Sequence, residues 1–141
     1  MKTNQSIITL FFLGLILLGA TIAVADDTAP KSKLAVVWTS GDPEVAHKVC
    51  FMFTHNAKKR GWFDEVLLIV WGPSDKLLTE DESLQESIKA MQADGVRMQA
   101  CKACADSYGV SEQLTQLGIE VKYMGVPLSD MLKGDWKVIT F

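Results

Sequence analysis

Val96-Arg-Met-Gln-Ala100-Cys101-Lys102-Ala-Cys104-Ala105-Asp-Ser-Tyr108-Gly109-Val110 is the stretch on which the reading of this chain turns. Val96 to Ala100 has the length and apolar content of a short strand. A helix beginning near Cys101 follows it with no linking loop. A thiol at such a junction sits at the C-terminal edge of a sheet, where open α/β sheets gather their ligands and chemistry. It also lies in the first turn of a helix, where backbone N–H groups are unpaired and the dipole is positive. Both favour a thiolate, the reactive form of cysteine. A helix end contributes roughly 0.3–1 kcal/mol, or about one pKa unit at most. From a reference near 8.5, that raises the thiolate at pH 7 from about 3% to about a quarter. Such a fraction is sufficient for sulfur exchange.

Upstream of this stretch the same alternation repeats. Leu34-Ala-Val-Val-Trp38 is a continuous apolar run, as expected of a strand buried on both faces. Thr39 to Pro43 reads as a turn, with Ser40 or Asp42 as cap and Pro43 at the first helical position. A helix is predicted from Pro43 to Lys59, with Val45, Val49, Met52 and Phe53 as its apolar stripe and Gly61 as its stop. Glu65 to Trp71 is the second strand, ended by Gly72-Pro73-Ser74. Asp75 to Glu82 reads as a polar loop with at most a short turn at Leu77-Leu78, and a helix runs from Ser83 to Ala93. Downstream, Gly109 interrupts a helical region that ends near Leu117. Glu120 to Met124 is a strand, Ser129 to Leu132 a short helix, and Trp136 to Phe141 the last strand. Strands alternating with helices over short connections predict an α/β fold. Its form is a three-layer α/β/α sandwich with a mainly parallel five-stranded sheet and right-handed crossovers.

The N-terminal segment has a different character. Lys2 precedes an apolar run from Ile7 to Leu18, and Ala23-Val24-Ala25 supplies an A-x-A site. This is the pattern of a secretory signal peptide, residues 1–25, and predicts a periplasmic or otherwise exported protein with no membrane association after cleavage. Residues 26–33 form a polar, flexible lead-in, and 34–141 the folded domain. The chain of 141 residues is 48% apolar and 22% charged, with net charge −3. A domain of this size buries a core without disulfide staples. No Lys/Arg-rich block is present, so a nucleic-acid partner is not expected.

Three groups of residues could carry chemistry. Cys101-x-x-Cys104 fits a redox pair, half of a zinc site, or two packed thiols. A second C-x-x-C is absent, which weakens a closed zinc site. Ser40-Gly41, at the end of the first strand, shares an edge with Cys101. Together with Lys102 it is the candidate anion- or ligand-binding set, although a plain capped turn is the simpler and favoured account of Ser40-Gly41. His47, Cys50 and His55 fall on one helix, but only the first two share a face. They read as a buried small cysteine and two surface histidines. No cofactor and no metal is expected.

The pattern Val96-x-x-x-x-Cys101-x-x-x-Ala105-x-x-x-Gly109-Val110 resembles the active-site segment of the DsrE/DsrF/TusD family of sulfur-relay proteins. The likeness extends to Leu34–Gly41 and to the closing Trp136-Lys-Val-Ile-Thr-Phe141. The resemblance implies a small α/β sandwich, a homo- or hetero-oligomer (a homo-oligomer is expected here), and a cysteine, here Cys101, that carries sulfane sulfur as a persulfide. The implied partners are proteins with an acceptor thiol or small sulfur compounds. Cys104 is an addition to the family's single-cysteine pattern. It keeps two other readings open: a ligand- or metal-binding oligomer, and a thiol–disulfide redox protein using Cys101 and Cys104.

Overall fold

Five strands form one parallel sheet, in the order β4-β3-β2-β1-β5. The computed structural model describes residues 31–141. The expected signal peptide and most of the lead-in lie outside the described residues. β1 (Lys33–Trp38) and β2 (Glu65–Val70) are central, and each is buried at every position after its first. That is why both read as unbroken apolar runs. β3 (Arg97–Cys101) and the short β4 (Glu120–Lys122) extend the sheet on one side, and β5 (Trp136–Thr140) pairs with β1 on the other.

The connections determine the two layers. β1 to β4 step in one direction across the sheet, so right-handed crossovers place all the intervening helices on one face. These are α1 (Pro43–Val45), a π-helical turn (Ala46–Phe51), α2 (Met52–Lys59), α3 (Pro73–Glu80), α4 (Glu82–Ala93), α5 (Lys102–Tyr108) and α6 (Ser111–Gln116). They pack on a large core that includes Trp38, Leu68, Leu78, Leu84, Ile88 and Leu114. The return from β4 to β5 crosses back, so among the described residues α7 (Gly125–Lys133) alone covers the other face. There Leu128 and Met131 lie against Ala35, Val37, Leu67 and Ile69.

Several sequence expectations are corrected. The first helix does not bury Val49 and Met52, which are 42% and 58% exposed. Its inner face is Ala46, Cys50, Phe51, Thr54 and Ala57. Small residues let the helix approach the sheet, while Phe51 packs edge-on against Trp38 at 4.8 Å between ring centroids. Residues 73–80, expected as a loop, form α3. Pro73 is not a terminator there, because it occupies the first helical turn, where no N–H partner is required. The same reason extends α7 from the expected Ser129–Leu132 to Gly125–Lys133, with Pro127 in its first turn.

Candidate functional site

β3 and β4 are adjacent, but their connections leave toward opposite faces. The crevice at their carboxyl ends is therefore the topological switch point at which open sheets bind ligands. Cys101 is the last residue of β3 and pairs in register with Lys122 of β4. Its backbone is still extended (φ −75°, ψ 108°) when α5 begins at the next residue, and its side chain makes no capping bond. Alternation along β3 turns Ala100 toward the large core and Cys101 toward the α7 face, beside Leu67, Ile69 and Met124. Cys101 was expected to be exposed at the edge. It is only 4% exposed, because the Met124 turn and α7 close over it.

Cys104, one turn into α5, is half-buried and joins the same cluster. Both thiols are free. The Cys104 thiol is pushed up to about 11, first by burial. The Cys101 side chain as hydrogen-bonding neighbour, the Cys101 charge and the Asp75 charge follow, and the Gly72 N–H pulls in the opposite direction.

The turn after β2 completes the surroundings. Gly72 adopts φ 81°, ψ −130°, a backbone region open to glycine. Its N–H donates to Asp75 Oδ2 at 2.8 Å. Ser74 Oγ donates to the Trp38 carbonyl and accepts from the Trp71 N–H at 3.0 Å, tying the end of β1 to the start of α3. Asp75 is fully buried, and burial pushes its carboxyl up to about 7. The sequence reading missed this residue. The available signal was Pro73 at the first helical position with an acid two residues later, the start of a helix and not a solvated loop.

The remaining candidates fall around this centre. Lys102 Nζ is engaged by Asp106 at 2.9 and 3.0 Å, which raises the lysine's pKa. Lys122 is paired with Glu120 at 3.1 Å. Ser40 Oγ accepts from the Asp42 N–H at 3.1 Å, and Asp42 caps α1 through the Glu44 N–H. Gly41 faces Pro73, whose Cβ lies 3.2 Å from where a Gly41 side chain would begin. Gly41 and Pro73 border a hollow of about 260 Å³ that includes Lys76 and Tyr108 and is not lined by either thiol. A hollow of about 560 Å³ runs along the first helix past His47 and Met52 and contains neither thiol.

Cys50 and the histidines stand apart from this centre. Cys50 is fully buried and its thiol is pushed up to about 12 by desolvation. His55 Nε2 contacts Asp94 Oδ2 at 2.6 Å. Among the described residues no three His, Cys, Asp or Glu side chains are grouped to hold a metal, and no helix is long and apolar enough to cross a membrane.

Comparison with known proteins agrees with this architecture. A conserved protein of unknown function, BT1422 from Bacteroides thetaiotaomicron, is 35% identical over 78% of this chain and 95% of its own, with a TM-score of 0.75. The ychN protein from E. coli shares the fold at 16% identity and a TM-score of 0.61, over 78% of this chain and 99% of its own. Among curated proteins none matches. The family model described as DsrE/DsrF-like matches residues 32–141, nearly all of the described chain. With its parallel sheet and its cysteine at the end of β3, this chain belongs to the DsrE/DsrF-like family, known generally for sulfur relay.

Proposed function

We propose that the protein is a sulfur carrier in which Cys101 accepts sulfane sulfur, holds it as a persulfide, and passes it to the thiol of a partner. The observation that carries this reading is the thiol pair at the β3–β4 switch point. Cys101 ends the strand, and Cys104 keeps its proton beside it. A sulfur nucleophile next to a proton-holding thiol suits exchange between S–S and S–H groups. The near-burial of Cys101 also suits a carrier, because water and stray oxidants reach a persulfide there less readily.

The test is intact mass after exposure to polysulfide. Cys101→Ser should lose the stable gain of one sulfur atom, and Cys104→Ser should keep or prolong it. Cys50→Ser should behave as the parent. A Cys101→Ser protein that loads as well as the parent would overturn the reading. The proximity of the two sulfurs supports one other reading, thiol–disulfide exchange. Loss of two mass units per chain, with no sulfur gain in any variant, would favour it.

The carrier is further proposed to work as a homo-oligomer. Support comes from the exposed Tyr123, Val126 and Leu132 on the α7 side, and from Met52 and Trp62 on the first helix and its exit. Trp71 does not belong to this surface, being half-buried against the α7-side core. Light scattering at micromolar concentration should give a multiple of the chain mass, and a monomer would count against assembly.

A further inference from the structure

We infer that Lys122 is the counter-ion of the sulfur loaded on Cys101: its ammonium leaves Glu120 and pairs with the outer sulfur of the persulfide anion. The inference rests on the carrier reading above and adds a charged partner to the same site. It starts from the ladder between β3 and β4. Cys101 and Lys122 are register partners on adjacent parallel strands. Their side chains therefore leave the same face of the sheet, about 5 Å apart at the spacing of neighbouring strands. That face is the α7 side. Cys101 belongs to its cluster, and Val121, between Glu120 and Lys122, packs against the opposite core. The preceding row sets Ile69, Gln99 and Glu120 side by side across β2, β3 and β4.

Toward β2 and α7 the neighbours of Cys101 are apolar: Leu67, Ile69 and Met124. Toward β4 they are polar. Gln99 is only 7% exposed, and its Nε2 donates to Glu120 Oε2 at 2.7 Å. Its Oε1 is buried with no hydrogen-bond partner among the described residues. Lys122 Nζ donates to the two Glu120 carboxylate oxygens at 3.1 and 3.2 Å. A charged edge strand guards a sheet against pairing with another chain. That role needs neither a buried amide nor a lysine in register with the thiol.

Loading alters the charge at this spot. The outer S–H of a persulfide is more acidic than a thiol, because its negative charge sits beside an electron-withdrawing sulfur. An anion then occupies a site where Cys101 is 4% exposed, and a charge taken out of water requires an opposite charge. Lys122 is placed to supply it. Its pair with Glu120 is exposed on both sides, 36% and 61%, and such pairs are weakly held. Glu120 keeps the Gln99 amide when the lysine leaves, and that bond, ahead of Lys122, holds its carboxyl below the usual range. Other charged groups around the thiols are placed differently. Lys102 opens α5 and is held by both oxygens of Asp106. Arg97 pairs with Glu65 at the start of the strands. Asp75 on α3 accepts from the Gly72 N–H, and Asp130 and Lys133 of α7 are exposed. Cys104 is the second free thiol of the cluster.

The experiment loads the protein with polysulfide and pulses it with iodoacetamide from about pH 4 to about pH 9. The mass of the alkylated persulfide, which reductant removes, reads the persulfide anion at each pH. Lys122→Ala should raise the persulfide midpoint by about one unit and slow alkylation about tenfold on its acid side. Lys122→Arg should keep the parent midpoint. Glu120→Gln, which removes the competing carboxylate, should lower it. Opposite shifts from the two ends of one ion pair separate this role from support of the edge strand, which either loss would weaken alike. A Lys122→Ala midpoint equal to the parent's would overturn the assignment. A parent that takes up no sulfur defeats the carrier reading separately. Lys122 is then tested on unloaded Cys101 with an anionic and a cationic methanethiosulfonate of similar size. Lys122→Ala should lower the ratio of anionic to cationic modification rates several-fold, and an unchanged ratio overturns the assignment.

Discussion

The two faces of the sheet are built differently. On one, helices between Pro43 and Gln116 pack a continuous core, and Cys50 is sealed within it. On the other, a single nine-residue helix, α7, covers the strands with none of its own residues buried. Cys101 and Cys104 belong to that second face. Identical side-chain chemistry therefore has opposite fates. Cys50 is held as a neutral thiol, pushed up to about 12, while Cys101 lies under a thin cover in one cluster with a second thiol. The difference teaches that one sheet can carry a thick, sealed side and a thinly covered one. Loosely packed elements open at low cost, which suits the proposed entry and exit of sulfur on the thin side.

The sharpest way to break this comparison is to cut equal amounts from both faces. Leu84 on α4 is fully buried in the large core, whereas Leu128 on α7 is half-buried. Leu84→Ala should destabilise the fold by about 4 kcal/mol, and Leu128→Ala by only about 1 kcal/mol. Urea unfolding of the two variants and the parent measures both. Equal losses would mean that α7 supports the fold as firmly as the opposite layer.

A slightly smaller effect follows from the buried acid at the start of α3. The Asp75 carboxyl is raised in the folded state from 3.8 to about 7. Between those values the unfolded chain releases a proton that the folded chain keeps. The native state thus binds more protons, and stability falls as pH rises. The Asp75 contribution is fully favourable below about 4 and is lost progressively toward 7. The fall amounts to roughly 3 kcal/mol at about 1.36 kcal/mol per unit. Chemical denaturation of the parent at pH 4 and pH 7 should show this component, and Asp75→Asn should remove it. An unchanged pH dependence in Asp75→Asn would place the carboxyl in water.

Much of this arrangement was legible in the chain itself. The central strands announce themselves because burial on both faces demands unbroken apolar runs, Leu34–Trp38 and Val66–Val70. The position of the thiol pair at the sheet edge was legible because C-x-x-C directly follows a strand. What escaped was the phase of the first helix, where small residues and a π-helical turn replace the large apolar stripe. Asp75 escaped for a related reason. An aspartate in a polar run looks solvated, and only the packing of α3 against α5, distant in sequence, buries it. Strand order is likewise a tertiary fact. It decides that α7 has the second face to itself, and hence how thinly Cys101 is covered.

The smallest expected effect on stability carries the largest consequence for the thiols. Leu128 packs on the cluster that contains Cys101, so removing its side chain leaves a gap in the only helical layer over that sulfur among the described residues. The gap costs little, because Leu128 is itself half exposed and water can enter where it stood. Reagent access follows a different rule, since it depends on the local opening of the cover and not on global unfolding. Leu128→Ala should therefore speed alkylation of Cys101 several-fold under native conditions while leaving Cys50 as protected as in the parent. Cys50 reacts only when the thick face comes apart, and Leu128 does not touch that face. Quenched iodoacetamide labelling, mapped by peptide mass, reads all three thiols at once. Acceleration at Cys50 equal to that at Cys101 would show the two faces opening together as one cooperative unit, and the contrast between them would fail.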